Sequence, residues 1–128
     1  MISCPFCLKN KILKGKILSE NELCYFVESI DPILKCAGLI IPKRHVPTPF
    51  DLTDQEWLAI KQMINQAKQI LDKENPDGYN LGFNVNEVGG QNVPHTHLHI
   101  IARFKDEPLS GQGIRYAFKQ PNNLRPQN

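Results

Sequence analysis

The sequence predicts an α+β fold with a mainly antiparallel sheet. Three observations predict it: short apolar runs separated by polar turns, one long stretch with a helical stripe, and proline and glycine punctuating the chain throughout. Residues 16–18 and 23–28 read as strands joined by the polar turn at Glu20 and Asn21, and 39–41 as a buried strand stopped by Pro42. A helix starts after Thr53, where Thr53 and Glu56 make the Thr-x-x-Glu pattern of a capping box. Trp57, Ile60, Ile64, Ala67 and Leu71 follow at three- and four-residue spacing, the stripe of an amphipathic helix. By that periodicity Trp57 and Met63 are core residues rather than ligand contacts. Asn75-Pro76-Asp77-Gly78 ends the helix. Two further strands, 79–85 and 95–104, flank a loop with Gly89-Gly90, and the polar, proline-bearing stretch 120–128 reads as an exposed tail.

A chain of 128 residues, 41% hydrophobic and 22% charged, has the size and balance of one domain, here 1–128, with a core of its own. Its net charge of +2 demands neither a nucleic acid polymer nor an anionic membrane as partner. The apolar stretch 37–41 falls far short of the roughly 20 residues of a membrane helix. Lys9, Lys11, Lys14 and Lys16 break up the N-terminal region, so no secretory signal is expected. Four cysteines without such a signal point to a reducing, cytoplasmic setting, where thiols bind metal or pack.

The chemistry concentrates in His95-Thr96-His97-Leu98-His99. In a strand these three imidazoles share one face, while Thr96, Leu98 and Ile100 point the other way. Successive rings are then about 6.6 Å apart at the backbone and the outer pair about 13 Å. Two neighbouring histidines can share a metal; three from one straight strand cannot. Two readings follow: a metal hydrolase with a third ligand from elsewhere, or an imidazole nucleophile flanked by groups that hold phosphate. Asn86-Glu87-Val88-Gly89-Gly90-Gln91-Asn92 favours the second, because glycine lets backbone N–H groups approach an anion and the amides add neutral donors. Taken alone, that loop is equally an ordinary glycine hairpin.

With its lead-in Gly90-Gln91-Asn92-Val93, the run His95-Thr96-His97-Leu98-His99-Ile100-Ile101 resembles the signature of the histidine triad (HIT) family. The similarity extends to Ile40-Ile41-Pro42-Lys43-Arg44-His45 and to Arg103-Phe104-Lys105-Asp106, covering about residues 4–106. The resemblance implies a five-stranded antiparallel sheet with one long helix and a shorter one, joined across a twofold axis into a homodimer. It also implies a hydrolase or transferase of nucleotidyl groups, with dinucleoside polyphosphates or nucleoside phosphoramidates as substrates. On that likeness His97 is the nucleophile, attacking the α-phosphorus to form a covalent nucleotidyl-histidine. His99, Gln91 and Asn92 hold the phosphate oxygens, Asn86 adds a polar contact, and Ile30 lines the base pocket. Two positions depart from the pattern: Ala37 stands where the family usually carries a further histidine, and Ser29 where it carries a ribose-binding aspartate. Asp31 lies two residues out of register. Those departures motivate the alternative of a nucleotide-binding adaptor or sensor dimer with weak catalysis.

Cys4-Pro5-Phe6-Cys7 is a Cys-x-x-Cys pair whose spacing suits two thiolates on one tetrahedral zinc, a spacing that redox motifs share. The expected strand-then-helix context of a redox site is missing. Some bacterial members of the resembled family use such a pair with two histidines, which carries over here as Cys4, Cys7, His45 and His95. Four protein ligands make that zinc structural, and no catalytic metal is required. Cys24 and Cys36 have no partners at useful spacing and read as core residues.

Overall fold

The computed structural model describes residues 3–126; residues 127 and 128 of the expected tail lie outside the described residues. Strands β1 (Ile17–Glu20), β2 (Cys24–Glu28), β3 (Ala37–Pro42), β4 (Gly78–Phe83) and β5 (Leu98–Arg103) form a five-stranded sheet in the order β1-β2-β3-β5-β4. Every neighbouring pair is antiparallel. One α-helix, α1 (Asp54–Leu71), crosses it. The shorter helical pieces among the described residues are 3-10 turns of three residues each, so the shorter second helix is present only in that form.

Alternation along the strands separates two faces. Phe26, Ile40, Leu98 and Ile100 face α1 and pack against Ala59, Ile60, Met63, Ala67 and Leu71. Gly38 falls on this face, where a Cβ would run into the Phe26 ring and the Val27 carbonyl. Tyr25, Val27 and Ile41 face the other way and are covered by Phe6, Leu8 and Leu13 of the N-terminal segment. On β5 the same alternation puts His99, Ile101 and Arg103 on this second face.

The β1–β2 turn is closed by Asn21, whose Oδ1 accepts from the Leu23 and Cys24 N–H groups at 3.0 and 2.9 Å. At the far end of α1, Asn75 takes a left-handed conformation with φ 55° and stops the chain from continuing as helix. The capping box forms as expected, with the Thr53 Oγ1 accepting from the Glu56 N–H and the Glu56 carboxylate from the Thr53 N–H. Glu56 also turns the buried stripe of α1. It is 4% exposed and sits inward, while Trp57, expected in the core, is 44% exposed and meets Phe83 edge-on.

The reason is a forked pair. Arg44 Nε and Nη2 donate to Glu56 Oε2 and Oε1 at 3.0 and 2.8 Å. The Arg44 hydrogen bonds, with those from Thr53, hold the Glu56 carboxyl below its usual range. A carboxylate depressed in the folded state stabilises above its unfolded pKa and loses that contribution as pH falls through the folded one. Glu56→Gln is therefore expected to cost about 2 kcal/mol at pH 7, the scale of hydrogen bonds to a charged group. Urea titrations should show the gap to wild type closing below about pH 4, near the unfolded carboxyl pKa.

Candidate active site and metal centre

The histidine run is not all strand. β5 begins only at Leu98. Upstream, the His95 N–H donates to the Val93 carbonyl at 2.8 Å, and both the N–H and Oγ1 of Thr96 donate to the Val46 carbonyl at 2.7 Å. The segment leaves β3 after the Leu98–Ile40 pairing and follows the loop beyond Pro42 instead. Thr96, Leu98 and Ile100 are buried as expected, at 1%, 4% and 1% exposure.

That departure separates the imidazoles. His97 and His99 remain together, their ring centroids 5.1 Å apart. The His97 Nδ1–H donates to the His95 carbonyl at 2.8 Å, which fixes the tautomer and leaves the lone pair on Nε2. Burial pushes the imidazoles of His97 and His99 below the usual range, so both are neutral at pH 7. His99 Nε2 is buried with no hydrogen-bond partner. An orphaned polar atom of that kind calls for a ligand group.

His99 lines a cleft of about 580 Å³ on the second face, with Ile30, Ala37, Ile101 and Asn92 among its walls. Asn92 also borders a shallower groove of about 680 Å³, together with Asn86, Gln91 and Pro47. The glycine-amide loop thus borders its own groove and reaches the His99 cleft at Asn92, and its donors are largely engaged. The Gly89 and Gly90 N–H groups donate to the Asn86 and Glu87 carbonyls. The Gln91 amide accepts from the Asn86 N–H at 2.8 Å and donates to the Pro47 carbonyl at 2.7 Å. In the loop bearing Ile30, Ser29 Oγ accepts from the Asp31 N–H and Asp31 Oδ1 caps the Ile33 and Leu34 N–H groups.

His95 turns to a different neighbourhood. Its Nδ1 lies 3.4 Å from Cys4 Sγ, 3.6 Å from Cys7 Sγ and 3.2 Å from His45 Nδ1, and His45 Nδ1 is 3.2 Å from Cys7 Sγ. The four donor atoms all lie within 4.8 Å of one another. His95 Nε2–H donates to the Pro42 carbonyl at 2.7 Å, so Nδ1 presents a lone pair. Lone pairs converging this closely repel unless a cation or protons lie between them. For zinc–sulfur and zinc–nitrogen bonds of about 2.3 and 2.0–2.1 Å, a tetrahedron has N–N and S–N edges of about 3.3–3.6 Å. The observed separations fit that figure, and the Pro42 carbonyl is the outer partner a metal-bound imidazole requires.

Sequence reasoning passed over Phe6, which lies between the two cysteines. Its ring meets His97 edge-on with centroids 5.0 Å apart and His95 at 6.0 Å. The Tyr25 hydroxyl donates to its carbonyl at 2.7 Å. An aromatic residue inside a ligand pair was the available signal.

A buried imidazole with a locked tautomer thus stands beside a second imidazole that borders a cleft. A sequence model of the HIT domain matches residues 10–106. An adenosine 5'-monophosphoramidase of Schizosaccharomyces pombe is 33% identical over 116 residues, 88% of this chain and 83% of that protein. A purine nucleoside phosphoramidase of Escherichia coli is 34% identical over 98 residues, 72% and 82% of the two chains. A solved HIT family protein of Bacillus anthracis, 31% identical, superposes with a TM-score of 0.73 over 80% of this chain and 74% of its own. The chain belongs to the HIT family.

Proposed function

We infer that this protein hydrolyses or transfers nucleotidyl groups by way of a covalent nucleotidyl-His97. The observation that carries the reading is the His97–His99 pair, with the Nδ1 of His97 tied to a carbonyl and the Nε2 of His99 unpartnered at the cleft. The related phosphoramidases support a nucleoside phosphoramidate as substrate.

His97 Nε2 attacks the α-phosphorus in line with the leaving group, and the His95 carbonyl stabilises the positive charge that develops on the ring. His99 Nε2–H donates to a non-bridging phosphate oxygen, which satisfies its orphaned nitrogen, and the Asn92 amide supplies a second donor. The nucleoside lies in the cleft with Ile30, and the leaving group in the groove that Asn86 and Gln91 border. Gln91 holds the loop, and reaching a phosphate requires exchange of its Pro47 bond. Water then cleaves the P–N bond and frees His97. Asp31 Oδ2 is the carboxylate oxygen not used by its own turn, and it is the ribose contact of this reading.

The same proposal assigns zinc to Cys4, Cys7, His45 and His95, where it would supply a fixed cationic cross-link. A homodimer completes it, supported by the open edge of β4 and the exposed Trp57 that meets Phe83 of that strand. No helix among the described residues is long and apolar enough to cross a membrane. The test is mass spectrometry of a rapidly quenched reaction with adenosine 5'-phosphoramidate. A nucleotidyl mass on the peptide bearing His97 is expected, and its absence during turnover would sink the covalent route.

A further inference from the structure

Beyond the nucleoside cleft lies a second chamber of about 460 Å³. The two cavities have Leu34 and Ile101 in common as walls. Along the second face of β5 the order is His99, Ile101, Arg103, at a two-residue repeat of about 6.8 Å. His99 borders the cleft, Ile101 the junction and Arg103 the chamber. Ala37, paired with Ile101 across β3 and β5, offers only a methyl group at that junction. The base site therefore shares two of its walls with the chamber.

The chamber is roofed by the segment after β5, which lies beyond the part of the chain that matches the HIT domain. Arg103 holds that roof in place. Its Nε donates to Glu107 Oε1 at 2.6 Å, its Nη2 to the Leu109 carbonyl at 2.8 Å, and its Nη1 to the Gln112 carbonyl at 2.7 Å and to Asn80 Oδ1. Every guanidinium nitrogen is thus engaged and its charge is matched by Glu107, so this arginine is scaffold and not an anion site. Lys35, Asn80 and Gln112 add polar groups to the lining, and most of the remaining wall is apolar. Ile33, Leu109 and Ile114 line the chamber and are 88%, 57% and 58% exposed, an apolar rim left open around a concave space.

We propose that the substrate is a nucleotide whose base carries a bulky apolar or aromatic substituent, and that this chamber takes the substituent. The inference rests on the nucleotidyl-transfer reading, because that reading sets phosphate at His97 and His99 and the base at Ile30 and Ile101. In adenine, the exocyclic N6 lies on the ring remote from the ribose, so a group attached there enters at Leu34 and covers the apolar rim. A phosphate or carboxylate in that place finds Arg103 already paired with Glu107, with Lys35 as the remaining cation of the lining.

The experiment compares adenosine 5'-phosphoramidate with its N6-benzyl derivative by kcat/KM, and the corresponding monophosphates by calorimetry. Wild type should prefer the benzyl compound by about tenfold or more, the scale of filling an apolar pocket. Ile114→Trp, which fills the chamber, should bring that preference close to one, and Leu109→Trp serves as a second variant. Equal or lower kcat/KM and affinity for the benzyl compound in wild type overturns the chamber and leaves the nucleotidyl-transfer reading standing. Tighter binding of the benzyl monophosphate without turnover of either phosphoramidate supports the chamber and overturns the enzyme. A preference unchanged in both tryptophan variants also overturns the proposal. So does a tryptophan variant that alters self-association but not the preference, since a second copy of the chain is then the occupant.

Discussion

His97→Ala is expected to lower kcat on phosphoramidate substrates by on the order of 10⁴-fold or more, because it removes the nucleophile rather than a group that assists one. The comparison with His99 makes the assignment specific. His99→Asn retains a donor beside the phosphate and should cost about 10²–10³, the scale of one lost transition-state hydrogen bond. Only His97→Ala should abolish the nucleotidyl adduct. Nucleotide affinity is the second readout, since the proposed mechanism has the nucleoside held by the cleft walls and not by the attacking nitrogen. Calorimetry with AMP should find affinity within a few-fold of wild type in His97→Ala. If wild type binds nucleotide tightly yet turns over no faster than His97→Ala, the chain is a nucleotide-binding adaptor. His97 is 4% exposed, so the variant also leaves a small void and loses a hydrogen bond. Its unfolding transition should be recorded alongside, and a cooperative transition a few degrees lower is the expected cost.

The parts of this structure legible in the sequence are those that local chemistry settles. The Thr53–Glu56 box and the turn at Asn75 are complete within a few residues, and both stand where the pattern put them. Non-local partners moved the rest. Pairing of Thr96 with Val46, rather than with a strand, delays β5 to Leu98 and frees His95 to turn away from His97. The pull of Arg44 brings Glu56 inward and rotates Trp57 out, which no helical periodicity contains. For the cysteines, spacing suggested two ligands, but the approach of His45 and His95 depends on β3 and β5 being neighbours, a fact of topology. The segment after β5 has no period to read. Its position follows from the hydrogen bonds of one arginine, which sequence inspection placed in a motif but gave no partner.

Removing the proposed zinc should test whether its site supports the proposed nucleophile. Purified protein is expected to carry about one zinc per chain by elemental analysis, and Cys4→Ser with Cys7→Ser to carry none. Burial, with Cys4 adjacent, pushes the Cys7 thiol above its usual range, so without a cation Cys7 stays protonated at neutral pH. The segment before β1 is then held by Phe6, Leu8 and Leu13 packing on Tyr25, Val27 and Ile41, and by the Tyr25 hydrogen bond. It should become cleavable by protease ahead of global unfolding, while the core under α1 keeps its far-UV signature. The activity change follows from geometry. Phe6 rests on His97 and the His95 carbonyl receives its Nδ1–H, so one segment sets the ring's tilt and the other its tautomer. Loosening both should lower kcat by about 10- to 100-fold, the usual effect of losing outer support at a site. Phe6→Leu with zinc retained should reproduce part of that loss, and Phe6→Tyr should restore most of it, because the ring edge is what His97 meets. A metal that activated water would behave otherwise: activity would vanish on chelation before the N-terminal segment became cleavable, and Phe6 would be irrelevant to the metal's contribution.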